Sequence, residues 1–270
     1  MSEILNDFSP LTIAAAIELN NCQMFASFAH LPQAALYHEP EMMWVKTPIP
    51  HFTFNSVLRT HLPADIAEQR IKERLLDFQA QELPMSWFVG PTSRPVNLEE
   101  YLIAHELIHA TDFTGMAVDL HRLEEEQPTP SGLVIEQVQD SAALKHWIQV
   151  FQKVFRWPDF AGDALFDLFN TLGFDAPWRH YLGRHNGTPV ATASLLLDVG
   201  VAGIGFVSTL PQAQRQGVGT AITLAALRDA RALGYRIGVL SATRQGENMY
   251  RRMGFAEYCH LGYYIWHGEL

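Results

Sequence analysis

The chain has 270 residues, of which 48% are hydrophobic and 18% are charged, and it contains 16 Phe and 6 Trp. This apolar and aromatic content supplies a packed core and excludes wholesale disorder. The formal net charge of −10 disfavours broad nucleic-acid binding, because an acidic surface repels a phosphate backbone. The two cysteines, Cys22 and Cys259, are too few for a disulfide framework or a Cys-based zinc site.

The N-terminal stretch 1–21 has acidic residues where a signal peptide carries basic ones, and Glu18 interrupts its apolar run. No segment has the length and apolarity of a membrane span. We therefore expect a cytoplasmic protein with no membrane or nucleic-acid partner, acting as a monomer or a homodimer.

The first half of the chain has few regular patterns. Hydrophobic periodicity predicts strands at 41–49 and 85–90, and helices at 63–81 and 98–111. No glycine-rich phosphate loop occurs in this half.

The clearest boundary is the segment 124–132, where three glutamates pass into a Pro/Ser/Gly cluster. This composition is typical of a linker. The sequence therefore predicts an N-terminal domain over 1–126, a linker over 127–132 and a C-terminal domain over 133–270.

The second half alternates strands and helices in a readable order. Asp140 is placed to cap a helix that ends near Phe155, and Asn186-Gly187 is typical of a tight hairpin. The remaining predicted elements are strands at 133–138, 178–184, 189–197, 201–208, 236–240 and 255–266, a helical stretch to 174, and helices at 218–233 and 244–253.

The segment 207–220 leaves a strand, passes through small residues and opens a helix at Val218. The first N–H groups of a helix have no internal partners and lie at its positive end, so they bind a pyrophosphate well. Gly217 and Gly219 let the backbone approach phosphates where a Cβ would collide. A Walker loop needs Gly-Lys-Ser/Thr and a dinucleotide-binding loop needs three glycines, so neither of these is predicted.

Positive charge is concentrated around this loop. The segment 210–255 has seven arginines against Asp229 and Glu247. Two explanations remain open, a small polyphosphate ligand and an arginine-rich helix surface. The arginines are residues 215, 228, 231, 236, 244, 251 and 252.

Two motifs resemble the GCN5-related N-acetyltransferase (GNAT) family. Gln214-Arg-Gln-Gly-Val-Gly219 is similar to its acyl-CoA loop, Gln/Arg-x-x-Gly-x-Gly/Ala, and Tyr250-Arg-Arg-Met-Gly-Phe255 is similar to its Tyr-x-x-x-Gly-Phe ending. The resemblance covers 133–270, and segments 85–95 and 115–120 look like the N-terminal half of tandem members. It implies an α/β fold with a central mixed, mostly antiparallel sheet flanked by helices. It also implies two such domains, the first degenerate and without a cofactor loop.

The resemblance implies an acetyl-CoA-dependent N-acetyltransferase that moves the acyl group directly to a primary amine of a small molecule or peptide. Tyr250 would be the general acid that returns a proton to the CoA thiolate, unless it is only a core aromatic. Thr243 stands where the family often places Asn. The implied cofactor-binding residues are Val207, Ser208, Thr209, Gln214, Arg215, Gln216, Gly217, Val218, Gly219, Thr220, Thr243 and Gly246.

A general base is not identified by any motif. Direct attack needs a neutral amine, so a nearby group must accept its proton. His180 and Tyr181, on the predicted strand 178–184, are the candidates, although a lone His in a strand is more often structural.

The segment His105-Glu-Leu-Ile-His109 matches the H-E-x-x-H of zinc peptidases, in which two imidazoles lie one turn apart on a helix. Asn97 is placed to cap such a helix, and Glu124, Glu125 or Glu126 would have to supply a third ligand from the linker. The longer peptidase motif, with a Gly and a third His, is absent. We therefore expect no metal here. A zinc metallopeptidase and a non-catalytic acyl-CoA-binding protein are the alternative functions.

Overall fold

The computed structural model describes residues 3–123 and 129–268. Its helices are α1 (Pro10–Ala26), α2 (Ala67–Gln79), α3 (Leu98–Ala104), α4 (Ser141–Phe155), α5 (Asp159–Leu172), α6 (Val218–Ala232) and α7 (Glu247–Arg252). Its strands are β1 (Ala35–His38), β2 (Met42–Lys46), β3 (Ser56–Thr60), β4 (Met85–Val89), β5 (Ile108–Asp119), β6 (Leu133–Gln137), β7 (Trp178–His185), β8 (Thr188–Asp198), β9 (Val201–Thr209), β10 (Ile237–Ala242) and β11 (Ala256–Trp266). Within the described ranges, no helix is both long and apolar enough to cross a bilayer.

The chain forms two compact units. Unit 1 comprises Met1–Asn20 and Gly115–Tyr258, and unit 2 comprises Asn21–Thr114 and Cys259–Leu270. These ranges differ from the predicted division, because each unit takes a short piece of chain from the far end of the sequence. Part of the predicted linker, together with the three glutamates before it, lies outside the described residues.

Specific contacts attach the N-terminal segment to unit 1. The backbone N–H of Leu5 donates to the carbonyl of Gly200 at 2.9 Å, and the side-chain amide of Asn20 lies 3.5 Å from the carbonyl of Leu196. A Cβ on Gly203 would lie 1.8 Å from Asn20 Oδ1, so this strand position needs glycine. Pairing between such distant parts of the chain leaves no local signal in the sequence.

The sheet of unit 1 has the strand order β5-β10-β9-β8-β7-β6. Strands β9 and β10 are parallel, and the pairs from β9 to β6 are antiparallel. The predicted hairpin is confirmed, since Asn186 and Gly187 have φ of 49° and 80° between the paired residues His185 and Thr188. The predicted mixed, mostly antiparallel sheet is confirmed.

Helices cover both faces of this sheet. Ala193 and Leu195 of β8 point into a core shared with α6, in which Ile222 and Leu227 are fully buried. Side chains alternate along a strand, so Ser194 points to the opposite face, which α4 covers. Asp140 begins α4 as predicted, because its Oδ1 accepts a hydrogen bond from the N–H of Ala143 at 2.7 Å.

Unit 2 has a smaller sheet in the order β1-β2-β3-β4-β11. Strands β3 and β4 are parallel and the other neighbours are antiparallel. Helices α2 and α3 contribute Ile71, Phe78 and Leu102 to its buried core. The structure confirms the predicted strands 41–49 and 85–90 and the helix within 63–81, whereas α1, β1 and β3 were not predicted.

The predicted helix over 98–111 is wrong beyond Ala104. The chain leaves α3 in a Schellman turn, because Glu106 has φ of 66° and the N–H of Leu107 donates to the carbonyl of Leu102 at 3.0 Å. Leu102 and Leu107 are both in the core of unit 2, which favours this stop. Strand β5 follows from Ile108, and the predicted cap at Asn97 does not form, since its side chain bonds Glu100 instead.

Candidate functional site

The loop between β9 and α6 has the backbone expected of an anion site. Arg215 and Gly217 have φ of 59° and 81°, and Gly217 precedes the first residue of α6. Left-handed residues between right-handed ones turn successive N–H groups toward one side. Glycine has no side chain to cap the helix, so the first amides of α6 remain for a ligand.

The loop is packed closely against its neighbours. The side-chain amide of Gln214 donates to the carbonyl of Thr209 at 2.9 Å, which fixes the loop to the end of β9. A Cβ on Gly219 would lie 3.2 Å from Met249 Sδ and 3.5 Å from Thr209 Oγ1. The predicted residues Thr209, Gln214, Gly217 and Gly219 therefore lie together.

The arginine-rich segment around the loop is partly neutralised. Arg236 pairs with Asp119 at 3.3 Å, and Arg251 pairs with Glu247 at 2.9 Å. Arg215 and Arg244 are exposed, the first of them within the loop itself. Both readings of this segment therefore apply to different arginines.

Strands β9 and β10 separate beside this loop. Their ladder joins only Ala202–Ile204 to Gly238–Leu240, although β9 continues to Thr209 and β10 to Ala242. The register with β8 shifts between Thr192 and Ser194, and Phe206 in the opposite strand has φ of 51°. This is a β-bulge, which bends β9 away from β10. The resulting wedge, between residues 205–209 and the end of β10, leaves one backbone edge of β9 outside the ladder.

Sequence reasoning missed this bulge. A Phe with positive φ is a rare backbone state, and no residue around Phe206 marks it in advance. Only the glycine at 205 hints at irregular backbone within the strand.

Tyr250 lies on α7 with its ring in the core of unit 1. The ring is 7% exposed and makes an edge contact with Phe255, with centroids 5.7 Å apart. Burial raises the pKa of the phenol well above its usual value, so the group stays protonated at neutral pH. A Cβ on Gly246 would lie 3.1 Å from Tyr250 Cε2, so glycine there makes room for this ring. The carbonyl of Thr243 accepts from the N–H groups of Gly246 and Glu247 and starts the turn into α7.

The two candidate bases have different environments. The hydroxyl of Tyr181 donates to Asp229 Oδ2 at 2.8 Å, and burial followed by this bond raises the pKa of its phenol. His180 is fully buried, and burial lowers the pKa of its imidazole to about 3. An imidazole that holds a proton only at such low pH is a weak base.

Residues 143–255 match the acetyltransferase (GNAT) family. The chain carries a GNAT domain. The match begins within α4 and ends at Phe255, so it includes the wedge, the loop and Tyr250. It places the chain among the acyltransferase enzymes. A comparison with curated protein sequences gives no significant match.

Solved structures share the fold over nearly the whole chain. A GCN5-related N-acetyltransferase from Kribbella flavida is 17% identical with a TM-score of 0.73, and covers 94% of this chain and 96% of its own. One from Sphaerobacter thermophilus is 15% identical with a TM-score of 0.63, at 98% and 95% coverage. A tandem GNAT protein from the clavulanic acid biosynthesis pathway is 13% identical with a TM-score of 0.62, at 99% and 98% coverage.

Outside the GNAT domain, the His105–His109 segment does not form the geometry of a zinc peptidase. His105 follows the last residue of α3, and His109 lies on β5, where its Nε2 is 2.9 Å from Asp112 Oδ1. The ring of His109 also lies 5.0 Å from that of Tyr264. No group of three or more metal-binding side chains occurs in the part of the chain that the structure describes.

We therefore predict that the double variant His105→Ala with His109→Ala keeps its thiol-release activity toward any amine that the parent acetylates. The reason is that the two imidazoles share no helical face on which they would bind one ion. Metal analysis of the purified parent, paired with activity before and after chelation, is the measurement. Stoichiometric zinc that the double variant loses, together with activity that a chelator abolishes, would contradict this prediction.

Proposed function

We propose that unit 1 binds acetyl-CoA through the β9–α6 loop and the wedge, and transfers the acetyl group to a primary amine. One observation carries the proposal, namely that the free amides at the start of α6 adjoin an unpaired backbone edge of β9. A pyrophosphate needs the first feature, and the extended, amide-containing pantetheine arm needs the second.

The two features fix the direction of the cofactor. With the pyrophosphate on the amides from Arg215 to Thr220, the arm runs back along β9 past Thr209, Ser208 and Val207. Residues in a strand advance about 3.3 Å each. The thioester would then lie beside the bulge at Phe206, where β9 and β10 part.

Tyr250 is the proposed general acid. In the reaction the amine nitrogen bonds to the acyl carbon, the carbon–sulfur bond breaks, and one proton moves in net from the amine to the sulfur. Tyr250 donates a proton to the departing thiolate and regains one that the amine has released to water. The raised pKa of this phenol keeps the proton available at neutral pH.

Unit 2 is proposed to bind no acyl-CoA. The segment between β3 and α2 has no glycine, and Asp65 and Glu68 place carboxylates where a phosphate would bind. The gap beyond the short β3–β4 ladder is closed by the chain itself. The N–H of Arg94 donates to the carbonyl of Thr60 at 2.8 Å, and the N–H of Leu62 donates to the carbonyl of Arg94 at 3.0 Å.

CoA is expected to raise the melting temperature of the protein. At a free concentration one hundred times Kd, a ligand that binds only the folded state stabilises it by about 2.7 kcal/mol. For a unit of this size that energy corresponds to a rise of roughly 5–10 °C. Calorimetry with CoA, with NAD⁺ as the control nucleotide, tests this. No shift at millimolar CoA would refute the proposed site.

Turnover separates an enzyme from a non-catalytic acyl-CoA-binding protein. Thiol release from acetyl-CoA, measured over a panel of small-molecule and peptide amines with mass detection of the acetylated product, identifies the acceptor class. Saturable CoA binding without any acetylated product would favour the binding protein.

A further inference from the structure

One buried polar side chain of unit 1 has incomplete hydrogen bonding. His180 stands opposite Ser194 in the β7–β8 ladder, and its Nδ1 lies 2.7 Å from Ser194 Oγ. Its Nε2 is buried and has no hydrogen-bond partner among the described residues. An unsatisfied buried polar atom costs stability, so it calls for a functional explanation.

Aromatic rings surround this imidazole. Ring centroids of Phe169, Trp147 and Trp178 lie 4.1, 5.4 and 5.8 Å from that of His180. We call this group, with the rings that continue it, the aromatic cluster. Its members are Trp147, Phe151, Phe155, Phe169, Trp178 and Phe206.

The cluster extends from the bulge of β9 to the protein surface. At one end, Phe206 lies 5.5 Å from Phe169 and 5.4 Å from Phe151, measured between ring centroids. At the other end, Phe151 lies 4.6 Å from Phe155, which is 46% exposed. The cluster therefore begins where the proposed thioester ends and reaches solvent along α4.

We propose that the acceptor amine binds within the aromatic cluster, with its nitrogen donating a hydrogen bond to Nε2 of His180. The acceptor is accordingly an amine carried on an apolar, aromatic-sized body. This inference rests on the proposed function, since the bulge at Phe206 marks the position of the acyl group only if acetyl-CoA occupies the wedge.

The chemistry of the cluster suits this ligand. Aromatic faces attract an ammonium group as it approaches, and apolar surroundings then favour the neutral amine that attacks a thioester. Because burial lowers the pKa of the imidazole to about 3, the ring is neutral at working pH. With Nδ1 donating to Ser194 Oγ, Nε2 carries the lone pair that accepts from the amine.

Two substitutions separate this role from a purely structural one. His180→Asn keeps a polar atom near Ser194 and removes the reach of Nε2, whereas His180→Gln restores a polar atom close to Nε2. We expect His180→Asn to raise KM for 2-phenylethylamine about tenfold, the effect of one lost hydrogen bond, with KM for acetyl-CoA unchanged. His180→Gln is expected to recover part of the loss. If Nε2 only faces the ring of Phe169, both variants will lose melting temperature and keep the KM of the parent, which would overturn the proposal.

A binding measurement on the parent protein does not depend on turnover or on the variants folding. Isothermal titration of CoA-saturated protein with 2-phenylethylamine, benzylamine and tryptamine is compared with titration of ethanolamine and putrescine. We expect saturable binding of at least one aromatic amine at a lower Kd than either polar amine. Preference for a polar amine, or no saturable binding of any aromatic amine by protein that binds CoA, would overturn the inference. Failure to bind CoA itself would instead refute the proposed function.

Discussion

Gly219→Asp is expected to weaken acetyl-CoA binding by roughly 100-fold or more. The new carboxylate would lie beside the pyrophosphate at the start of α6, and two like charges about 4 Å apart repel strongly near a protein surface. The fold should survive, because an acidic side chain in the first turn of a helix is electrostatically favourable. Isothermal titration with acetyl-CoA on both proteins measures the loss.

Gly219→Ala is the matched control for size without charge. Its Cβ would lie 3.2 Å from Met249 Sδ, a contact that the flexible methionine relieves by a small movement. The alanine variant should bind acetyl-CoA within about tenfold of the parent. Equal binding by the Asp variant and the parent would place the cofactor elsewhere.

Tyr250→Phe is expected to lower kcat by roughly 100-fold or more, the usual contribution of a general acid, with little change in acetyl-CoA affinity. The substitution keeps the ring and its contact with Phe255 while removing the only proton that the side chain can donate. Single-turnover acetylation is the appropriate measurement, since slow product release would hide a slower chemical step.

Tyr235→Phe is the control for losing a buried phenol. Tyr235 is 6% exposed and follows the far end of α6, a helix of 15 residues and so about 22 Å long. It should lose melting temperature and keep the turnover of the parent. A Tyr250 variant that behaves in the same way would show that Tyr250 is a core residue and not the acid.

Local sequence patterns predicted what local interactions determine. The cap at Asp140, the hairpin at Asn186-Gly187 and the helix behind Gly217 each depend on residues within one or two turns. The predicted helix over 98–111 failed because the stop at Glu106 depends on Leu107 reaching the core of unit 2. That burial is a tertiary interaction, and the helical pattern of the sequence continues through it.

The remaining site features arise from distant contacts. The bulge at Phe206 and the separation of β9 from β10 need three strands in register before they exist. The incomplete bonding of His180 likewise depends on rings from α4, α5 and β9 closing around it. Sequence reasoning therefore named the loop and Tyr250, and left the wedge and the aromatic cluster undetected.

The most direct measurement is a crystal structure of the protein with CoA. The account predicts density for the pyrophosphate on the backbone amides from Arg215 to Thr220. It also predicts the pantetheine arm paired along Val207 to Thr209, with its sulfur beside the bulge at Phe206. CoA bound with its pyrophosphate away from the start of α6, or with the wedge closed by β10, would contradict the account.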